Sequence, residues 1–296
     1  MKCDVGHRES ADEPRVSVDR TSQSERPRVA LVLSAGGLRG AVHLGVLRRM
    51  VAAGIPLDVV VGVSAGAVVA AYYAAVGLAI DELIGDSHVF KGRHLVAHSL
   101  SVRSPRWLRR LVEPWTGIIP ERLRQLQSSE FEVLHHGVSA IGVVCHDLTH
   151  NCARYLATGA HASVTLYEAV ATSASVPSLF PAVPVHYEGQ ICQFTDGGIS
   201  DPLPIRFARG AVLAATHLIV SDCRRRGMPP DPADSRLVWV RPRVHGTTTL
   251  RAPRASLFEA VRAGEAAVTD GVLRRIKAWV SLPSQVRGSG EETGQV

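Results

Sequence analysis

Two short apolar segments, each leading directly into a turn of small residues, constrain the fold of this chain more than any other feature. Residues 28–33 (RVALVL) lead into Ser-Ala-Gly-Gly, and residues 58–63 (DVVVGV) lead into Ser-Ala-Gly. The second segment is almost wholly apolar and β-branched, as a strand buried on both faces requires. Apolar residues at helical spacing follow each turn, in 38–53 and in 65–76. Alternating strands and helices with short connections predict a parallel sheet covered by helices.

The alternation continues towards the C-terminus. We predict further strands at 138–145, 153–157, 190–195 and 217–221, and helices at 166–173 and 256–280. Residues 79–136 show no regular period. The expected organisation is one α/β domain over residues 28–283, with its motifs in about 30–222. Residues 1–27 and 284–296 are polar and charged, so we expect them to be disordered tails.

Composition narrows the classes of protein. Hydrophobic residues make up 46% of the chain and charged residues 20%, which is enough for a substantial core. The net charge of +6 suits an acidic surface, but no basic-aromatic stripe or zinc-finger spacing points to nucleic acid. The N-terminus lacks the apolar segment of a signal peptide, and Gly62, Ser64 and Gly66 interrupt the longest apolar run. We therefore expect a cytoplasmic protein without a transmembrane segment, peripheral at a membrane at most.

The cysteines predict neither a disulfide framework nor a metal site. There are five of them, irregularly spaced, which favours free thiols in a reducing compartment. Cys145, His146, Asp147, His150 and Cys152 lie close together in the sequence, yet they match no zinc-binding spacing. We expect no metal and no cofactor.

The first motif that carries chemistry is Gly62-Val63-Ser64-Ala65-Gly66. This G-x-S-x-G pattern lies between a predicted strand and a predicted helix, where it places a serine on a tight turn. Gly62 and Gly66 provide the small neighbours that such a turn needs, and the helix directs its N-terminal amides at the serine. The motif predicts Ser64 as a nucleophile. The alternative is a small-residue turn without catalysis.

A glycine-rich loop follows the first strand and precedes the next helix. Its N–H groups at Gly36 and Gly37 are suited to a phosphate or to a developing oxyanion. The offsets of Gly36, Gly37 and Gly40 do not match a dinucleotide fingerprint, and no Walker Lys-Ser/Thr pair follows. An oxyanion loop suits a neighbouring serine nucleophile better, with Arg39 adding positive charge. Arg39 can equally be a surface cation on the first turn of a helix.

The third motif is Asp196-Gly197-Gly198, at the end of a predicted apolar strand. Functional sites of α/β sheets collect at the carboxyl ends of the strands, which is where this carboxylate lies. Gly197 and Gly198 permit a sharp turn beside it. Asp-Gly is also an ordinary turn signal, so the motif by itself leaves both interpretations open.

Together these blocks resemble the patatin-like phospholipase family. The stretch LVLSAGGLRGAVHLGVLRRM is similar to its glycine-rich block, VGVSAGAVVAA to its nucleophile block and TDGGISDPLPI to its aspartate block. Two further stretches fit, CHDLTHNCARYLATG and EAVATSASVPSLFPAV. The resemblance covers about residues 30–222 and is closest to the bacterial single-domain members. Ala35 departs from it, because many members have the first of three glycines there.

The resemblance implies a fold and an activity. The fold is a three-layer α/β arrangement with a central, mostly parallel sheet flanked by helices. The activity is that of a serine acyl hydrolase, acting on a lipid or another acyl ester through a Ser64–Asp196 dyad and an acyl-enzyme. Gly36, Gly37 and Arg39 would stabilise the oxyanion. The dyad needs no metal.

Alternative interpretations of the same residues differ in the catalytic base or in the acceptor of the acyl group. A triad hydrolase would need a histidine after Asp196, and His217 and His245 fit a structural or solvated role better. His43 lies in the glycine-block helix and is expected to pack locally. An acyltransferase or thioesterase would use the same dyad. A non-catalytic lipid-binding module would use neither residue.

One more segment bears on membrane contact. Residues 87–112 contain no acid, and they hold lysine, several arginines and Trp107 beside leucines, with Trp115 following. Basic residues interleaved with tryptophan and leucine are typical of an interfacial segment. We predict that residues 90–116 form a lid or a membrane-facing cap. A solvated helix in an arginine-rich protein is the alternative.

Overall fold

The computed structural model describes residues 26–225, 233–244 and 256–281. The tail predicted at 284–296, and all but the last two residues of the tail predicted at 1–27, lie outside the described residues.

Eight strands form one mixed sheet in the described chain. They are β1 (Val29–Leu33), β2 (Val59–Val63), β3 (Ala140–Asp147), β4 (Cys152–Ala157), β5 (Val183–Tyr187), β6 (Gln190–Asp196), β7 (His217–Ser221) and β8 (Leu237–Val240). Hydrogen-bonded neighbours follow the order β5-β6-β3-β2-β1-β7-β8. Strands β6 and β2 share one edge of β3, and β4 pairs with its opposite edge. The pairs from β3 through β2, β1 and β7 to β8 are parallel, whereas β4, β5 and β6 are antiparallel to their neighbours. The expectation of a mostly parallel sheet is confirmed.

Helices flank this sheet. They are α1 (Val42–Ala52), α2 (Ala65–Ala74), α3 (Ile80–Val89), α4 (Gly92–Arg103), α5 (Arg106–Val112), α6 (Ile119–Gln127), α7 (Leu166–Ser173), α8 (Ile205–Arg209), α9 (Ser256–Ala267) and α10 (Asp270–Val280). A short 3₁₀ helix, Gly37–Ala41, precedes α1. Within the ranges that the structure covers, no helix combines the length and apolar character needed to cross a bilayer.

The apolar central strands are explained by cores on both faces of the sheet. In β1, Val29, Leu31 and Leu33 pack into a core with α1 and α2, whereas Ala30 and Val32 face a second core that includes Ala208 of α8. Because both faces are covered, no position on β1 can be polar at low cost. The result is the three-layer α/β arrangement that the resemblance implies.

The C-terminal helix differs from its prediction. Residues 256–280 were expected as one helix, but the structure divides them into α9 and α10. The break has a local cause, because the side chain of Thr269 accepts a hydrogen bond from the N–H of Val272 at 3.3 Å and so caps α10. The apolar residues keep their helical spacing across the break, so the sequence pattern does not reveal the cap at Thr269.

Two strands and a group of helices have no counterpart in the sequence prediction. Strand β8 has only four residues, and β5 contains Pro184, which is acceptable because β5 is an edge strand. Residues 79–136, which show no regular period, form α3 to α6. Much of that helical layer is exposed, so its apolar periodicity is weak.

Helices α1 and α9 approach so closely that each requires a glycine at the crossing. A Cβ on Gly45 of α1 would lie 1.9 Å from the carbonyl oxygen of Val261. A Cβ on Gly264 of α9 would lie 2.1 Å from the carbonyl oxygen of Val42. The backbones are therefore in direct contact, and this contact anchors α9 beside the helix that follows the glycine-rich loop.

We predict that Gly45→Ala destabilises the protein by about 1–3 kcal/mol, because the added methyl separates two packed backbones. The matched control is Gly85→Ala in α3, where a Cβ would meet nothing within 4 Å and the better helix former should stabilise by up to about 1 kcal/mol. Urea unfolding of both variants measures the difference. Equal effects of the two substitutions would contradict the close crossing.

Candidate active site

The pairing of β3 brings the serine and aspartate motifs together. Strand β4 occupies one edge of β3, and the other edge is shared by β2 and β6. Val144 of β3 pairs with Val63, and the next residue, Cys145, pairs with Asp196. Since Ser64 follows Val63 directly, this change of partner along one edge places Ser64 next to Asp196, although 132 residues separate them in sequence.

Ser64 lies on a strained turn between β2 and α2. Its φ is 56° and its ψ is −123°, a conformation that non-glycine residues rarely adopt. The neighbours of this turn must be small. A Cβ on Gly62 would lie 2.2 Å from the carbonyl oxygen of Gly66, and a Cβ on Gly66 would lie 2.4 Å from that of Leu33. Both motif glycines are therefore required by packing.

Ser64 and Asp196 form a direct hydrogen bond. The hydroxyl of Ser64 donates to Oδ2 of Asp196 at 2.7 Å, and Oδ1 of Asp196 accepts from the N–H of Gly198 at 2.8 Å. Both side chains are buried, with 4% and 6% of the residue surface exposed. Burial raises the pKa of the Asp196 carboxyl, and the hydrogen bonds from Ser64 and Gly198 oppose that rise only in part. The arrangement is a serine hydroxyl paired with an unusually basic carboxylate.

Asp196 is held by the turn that follows it. A Cβ on Gly197 would lie 2.0 Å from the carbonyl oxygen of Val144, so only glycine fits between β6 and β3. A Cβ on Gly198 would lie 2.9 Å from Oδ1 of Asp196, close to the oxygen that its own N–H binds. Both glycines of the aspartate motif thus lie against the carboxylate or the strand beside it.

Ser173 supports the nucleophile turn, and sequence reasoning gave it no role. Its hydroxyl accepts the N–H of Ser64 at 2.9 Å and donates to the carbonyl oxygen of Val144 at 2.6 Å. Two residues on, the carbonyl of Ser175 accepts the N–H of Asp196 at 3.2 Å. The signal in the sequence was the Ser-Ala-Ser run at the end of the apolar helix α7, where fully buried hydroxyls need partners.

The glycine-rich loop presents unused N–H groups. Ala35 donates its N–H to the carbonyl of Pro202 at 3.0 Å, and Arg39 donates its N–H to Gly36 at 3.3 Å. Between them, the N–H groups of Gly36 and Gly37 have no acceptor among the described residues. Gly37 has a φ of +56°, which favours glycine, whereas Ala35 keeps a negative φ. The alanine that departs from the family pattern is therefore accommodated.

This loop lies against both other motifs. A Cβ on Gly198 would be 3.0 Å from the Cβ of Ala35, and one on Gly40 would be 2.4 Å from the Cβ of Ala65. The loop thus touches the aspartate turn on one side and the start of α2 on the other. Arg39 lies in the same 3₁₀ helix, but its side chain lines a pocket beside Cys223, and its Nε is buried without a hydrogen-bond partner.

Neither of the two described histidines considered as a triad base, His43 and His217, forms a hydrogen bond with Ser64. The ring of His43 lies with Nδ1 2.8 Å from the Ser221 hydroxyl and Nε2 2.9 Å from the Ser34 carbonyl, so both nitrogens are occupied. Burial lowers the pKa of His43 to about 4, which keeps it neutral at physiological pH. His217 begins β7, at the opposite end of the parallel sheet from Ser64. His245 lies outside the described residues.

A polar cluster near Asp147 contains potential metal ligands. Asp147, His150 and Cys192 have ligand atoms within 4.8 Å of one another. Arg154, however, donates to the same Oδ2 of Asp147 that His150 contacts, with its Nη2 2.9 Å away. A guanidinium in this position opposes a second cation, so the cluster is better explained as an ion-pair network. None of the four cysteines in the described chain forms a disulfide.

Comparison with known proteins fits this geometry. The sequence profile described as Patatin-like phospholipase matches residues 31–209, which include all three motifs. The chain belongs to the patatin-like phospholipase family. Neuropathy target esterase sws of Drosophila melanogaster is 27% identical over 207 residues, covering 66% of this chain and 13% of that protein. Lysophospholipase NTE1 of Pyricularia oryzae is 45% identical over 65 residues, covering 22% of this chain and 4% of that protein.

The chain therefore matches only a small part of these longer patatin-like relatives. Among solved structures, VipD from Legionella pneumophila aligns with a TM-score of 0.52 at 15% sequence identity, covering 86% of this chain and 67% of VipD. At that identity the likeness concerns the fold.

We predict that Asp196→Asn stabilises the protein at neutral pH. Because the folded state raises the pKa of Asp196, the ionised carboxylate opposes folding above the usual Asp pKa. The gain from Asn should be largest above the folded pKa and should shrink as the pH falls towards 3.8, the ordinary value. Urea unfolding at a series of pH values measures it. Asp81→Asn, at an exposed position on α3, is the control, and a pH-independent difference for Asp196→Asn would contradict the buried-carboxylate explanation.

Proposed function

We propose that this protein is a serine acyl hydrolase that cleaves carboxylic esters of lipids through a Ser64–Asp196 dyad. The observation that carries the proposal is the 2.7 Å hydrogen bond from the Ser64 hydroxyl to a buried carboxylate of raised pKa. A nucleophile needs a base within hydrogen-bond reach whose pKa is shifted towards neutrality. In the described chain this base is Asp196, since the neighbouring histidine, His43, uses both ring nitrogens elsewhere.

The chemistry follows from these contacts. As the Ser64 oxygen bonds to the ester carbonyl carbon, its proton passes to Oδ2 of Asp196. The tetrahedral intermediate then breaks its bond to the alcohol oxygen, which takes the proton from Asp196 and leaves. Water next attacks the acyl-enzyme while Asp196 accepts a proton, and the fatty acid departs as that proton returns to Ser64.

The glycine-rich loop supplies the electrostatic stabilisation of the oxyanion that forms on the ester carbonyl. The N–H groups of Gly36 and Gly37 lack acceptors and lie in a loop that touches the turns of both dyad residues. Donors fixed before the reaction cost no reorganisation when the carbonyl oxygen becomes negative. We assign the oxyanion hole to these two groups. Arg39 contributes positive charge from the same 3₁₀ helix.

The nature of the substrate and acceptor is supported by the relatives. They are named lysophospholipase and neuropathy target esterase, which indicates ester hydrolysis and, for the first, a lipid substrate. We accordingly propose water as the acyl acceptor. An acyltransferase or thioesterase would form the same acyl-enzyme, so the fate of the acyl group is measured as product.

The dyad is tested by kinetics on p-nitrophenyl esters and short-chain lysophospholipids. We expect Ser64→Ala and Asp196→Asn each to lower kcat by about 10³-fold or more, because each removes a partner of one proton transfer. Ser128→Ala and Asp81→Asn, both at exposed positions, should keep wild-type rates. Activity retained in Ser64→Ala would refute the proposal. Acyl products formed on added alcohol in place of free acid would identify a transferase.

We also propose that residues 90–116, which comprise α4, α5 and the 3₁₀ turn Glu113–Trp115, form a membrane-facing cap. Trp107, Leu111 and Trp115 expose 69%, 65% and 66% of their surface, which is unusual for such large apolar residues. Arg109 and Arg110 lie among them and are also exposed. Exposed tryptophan beside arginine is suited to the interface of an anionic bilayer.

The cap is linked to the dyad through one segment. On α4, the Ser99 hydroxyl donates to the carbonyl of Leu179, and the ring of His98 lies 5.9 Å from that of Phe180. Leu179 and Phe180 belong to the segment 175–180, which begins at Ser175, and the carbonyl of Ser175 accepts a hydrogen bond from the N–H of Asp196. The cap and Asp196 are thus connected through one short stretch of chain, residues 175–180.

We predict that Trp107→Ala combined with Trp115→Ala lowers binding to anionic vesicles at least about tenfold, because two interfacial anchors are lost. Co-sedimentation with phosphatidylglycerol vesicles measures it. Ile191→Ala, with 60% exposure on β6, is the matched control and should bind as wild type. Negligible binding of the wild-type protein to these vesicles would contradict the cap.

A further inference from the structure

The pocket that Arg39 and Cys223 line lies beside the proposed oxyanion loop and is rich in arginines. It has a volume of about 560 Å³. The cationic residues around it are Arg39, Arg224, Arg225, Arg241 and Arg243. No acidic side chain of the described residues lines it. A cleft lined by one sign of charge focuses its field on a ligand of the opposite sign.

The pocket lies at the same end of the sheet as Ser64, beyond the carboxyl ends of the parallel strands. Gly62 of β2, Leu33 of β1, Ser221 of β7 and Val240 of β8 lie side by side, each near the carboxyl end of its strand. Ser64 follows the first of these strands, and the arginines follow β7 and β8. Because neighbouring strands are about 4.8 Å apart, the pocket begins roughly 10 Å from Ser64. The glycine-rich loop bridges the gap.

Contacts across the glycine-rich loop join the two sites physically. The Sγ of Cys223, which lines the pocket, would be 2.1 Å from a Cβ on Gly36, so the pocket wall and the proposed oxyanion loop are in contact. The N–H of Cys223 also donates to the hydroxyl of Ser34 at 3.0 Å. The wall of the pocket and the proposed oxyanion loop are therefore adjoining parts of the structure.

The charges of the pocket are only partly compensated. Arg224 forms an ion pair with the buried Asp222 at 2.8 Å. Arg39 leaves Nε buried without a hydrogen-bond partner, and within the described ranges no ion pair engages Arg225 or Arg243. Guanidinium groups crowded in this way repel one another unless an anion binds between them. Their planar forks match the oxygens of phosphate.

The lining of the pocket offers no favourable partner to a cationic head group in the described chain. Trp239 lies on β8, before the pocket residues that follow this strand, and its ring face, which could otherwise hold a quaternary ammonium, is covered by Arg241, whose guanidinium carbon lies 5.4 Å from the ring centroid. A choline brought into the pocket would meet guanidinium groups and no carboxylate from the described chain. A phosphate monoester carries more negative charge and no cation, and its oxygens are the better fit.

We propose that this arginine pocket is a head-group subsite that selects acyl glycerophosphates with an uncapped phosphate over their choline esters. The inference rests on the proposed function, since it assigns the alcohol portion of the ester substrate. It predicts that one molecule spans both sites, with its ester at Ser64 and its phosphate among the arginines.

Binding is measured by titration calorimetry on Ser64→Ala, so that it does not depend on turnover. The probes are hexanoyl-lysophosphatidate, hexanoyl-lysophosphatidylcholine and inorganic phosphate. We expect hexanoyl-lysophosphatidate to bind about tenfold or more tightly than hexanoyl-lysophosphatidylcholine. This difference corresponds to at least one additional charge-assisted hydrogen bond. Adding Arg243→Gln or Arg225→Gln should remove most of that difference, and Arg274→Gln, exposed on α10, should preserve it.

The outcomes separate the two proposals. Equal affinity for the two lysolipids, or a preference unaffected by both pocket variants, overturns the head-group subsite. Tight binding of inorganic phosphate with no gain from the acylglycerol portion also overturns it, because the pocket would then be a site for free phosphate. Failure of the wild-type protein to cleave any ester overturns the proposed hydrolase and leaves the binding preference as an independent result.

Discussion

The change of partner along one edge of β3 is the constraint on which the rest of the site depends. Up to Val144 that edge pairs with β2, and from Cys145 it pairs with β6. The C-terminal ends of β2, which is parallel to β3, and of β6, which is antiparallel to it, therefore lie at neighbouring positions on β3. The first leads into Ser64, and the second ends at Asp196. Gly197 fits against Val144 at this junction, where a Cβ would lie 2.0 Å from a carbonyl oxygen. A bulkier residue there would separate the two strand ends.

The site combines features that cost stability. Ser64 adopts a positive φ, and Asp196 keeps a carboxylate away from water, which raises its pKa. Both costs are met by a well-connected backbone: Ser173 binds the N–H of Ser64, Ser175 binds the N–H of Asp196, and Gly198 binds the carboxylate. Strain and burial of this kind are characteristic of functional sites, because a relaxed serine and a solvated carboxylate would react poorly.

The sequence was sufficient for the central sheet because its strands are buried on both faces and so show continuous apolar runs. It was also sufficient for the positions of the three motifs, whose glycines prove to be required by contacts under 3.0 Å or, at Gly37, by a positive φ. It could not reveal the partner change on β3 or the contact of Ser64 with Asp196, since a contact between residues 132 positions apart leaves no local pattern. For the same reason the contact of Ser173 with Ser64, across 109 residues, could not be predicted. Short or edge strands such as β8 and β5, and the exposed layer from α3 to α6, carry too little periodicity to be recognised.

Covalent labelling tests the central claim, that Asp196 activates Ser64 as a nucleophile, most directly. A fluorophosphonate probe reacts with activated serine hydroxyls, and peptide mass spectrometry locates the adduct. The dyad predicts one modified peptide, carrying the adduct on Ser64, and a labelling rate that falls steeply in Asp196→Asn while Asp81→Asn labels as wild type. Labelling at another serine, or an unchanged rate in Asp196→Asn, would contradict it.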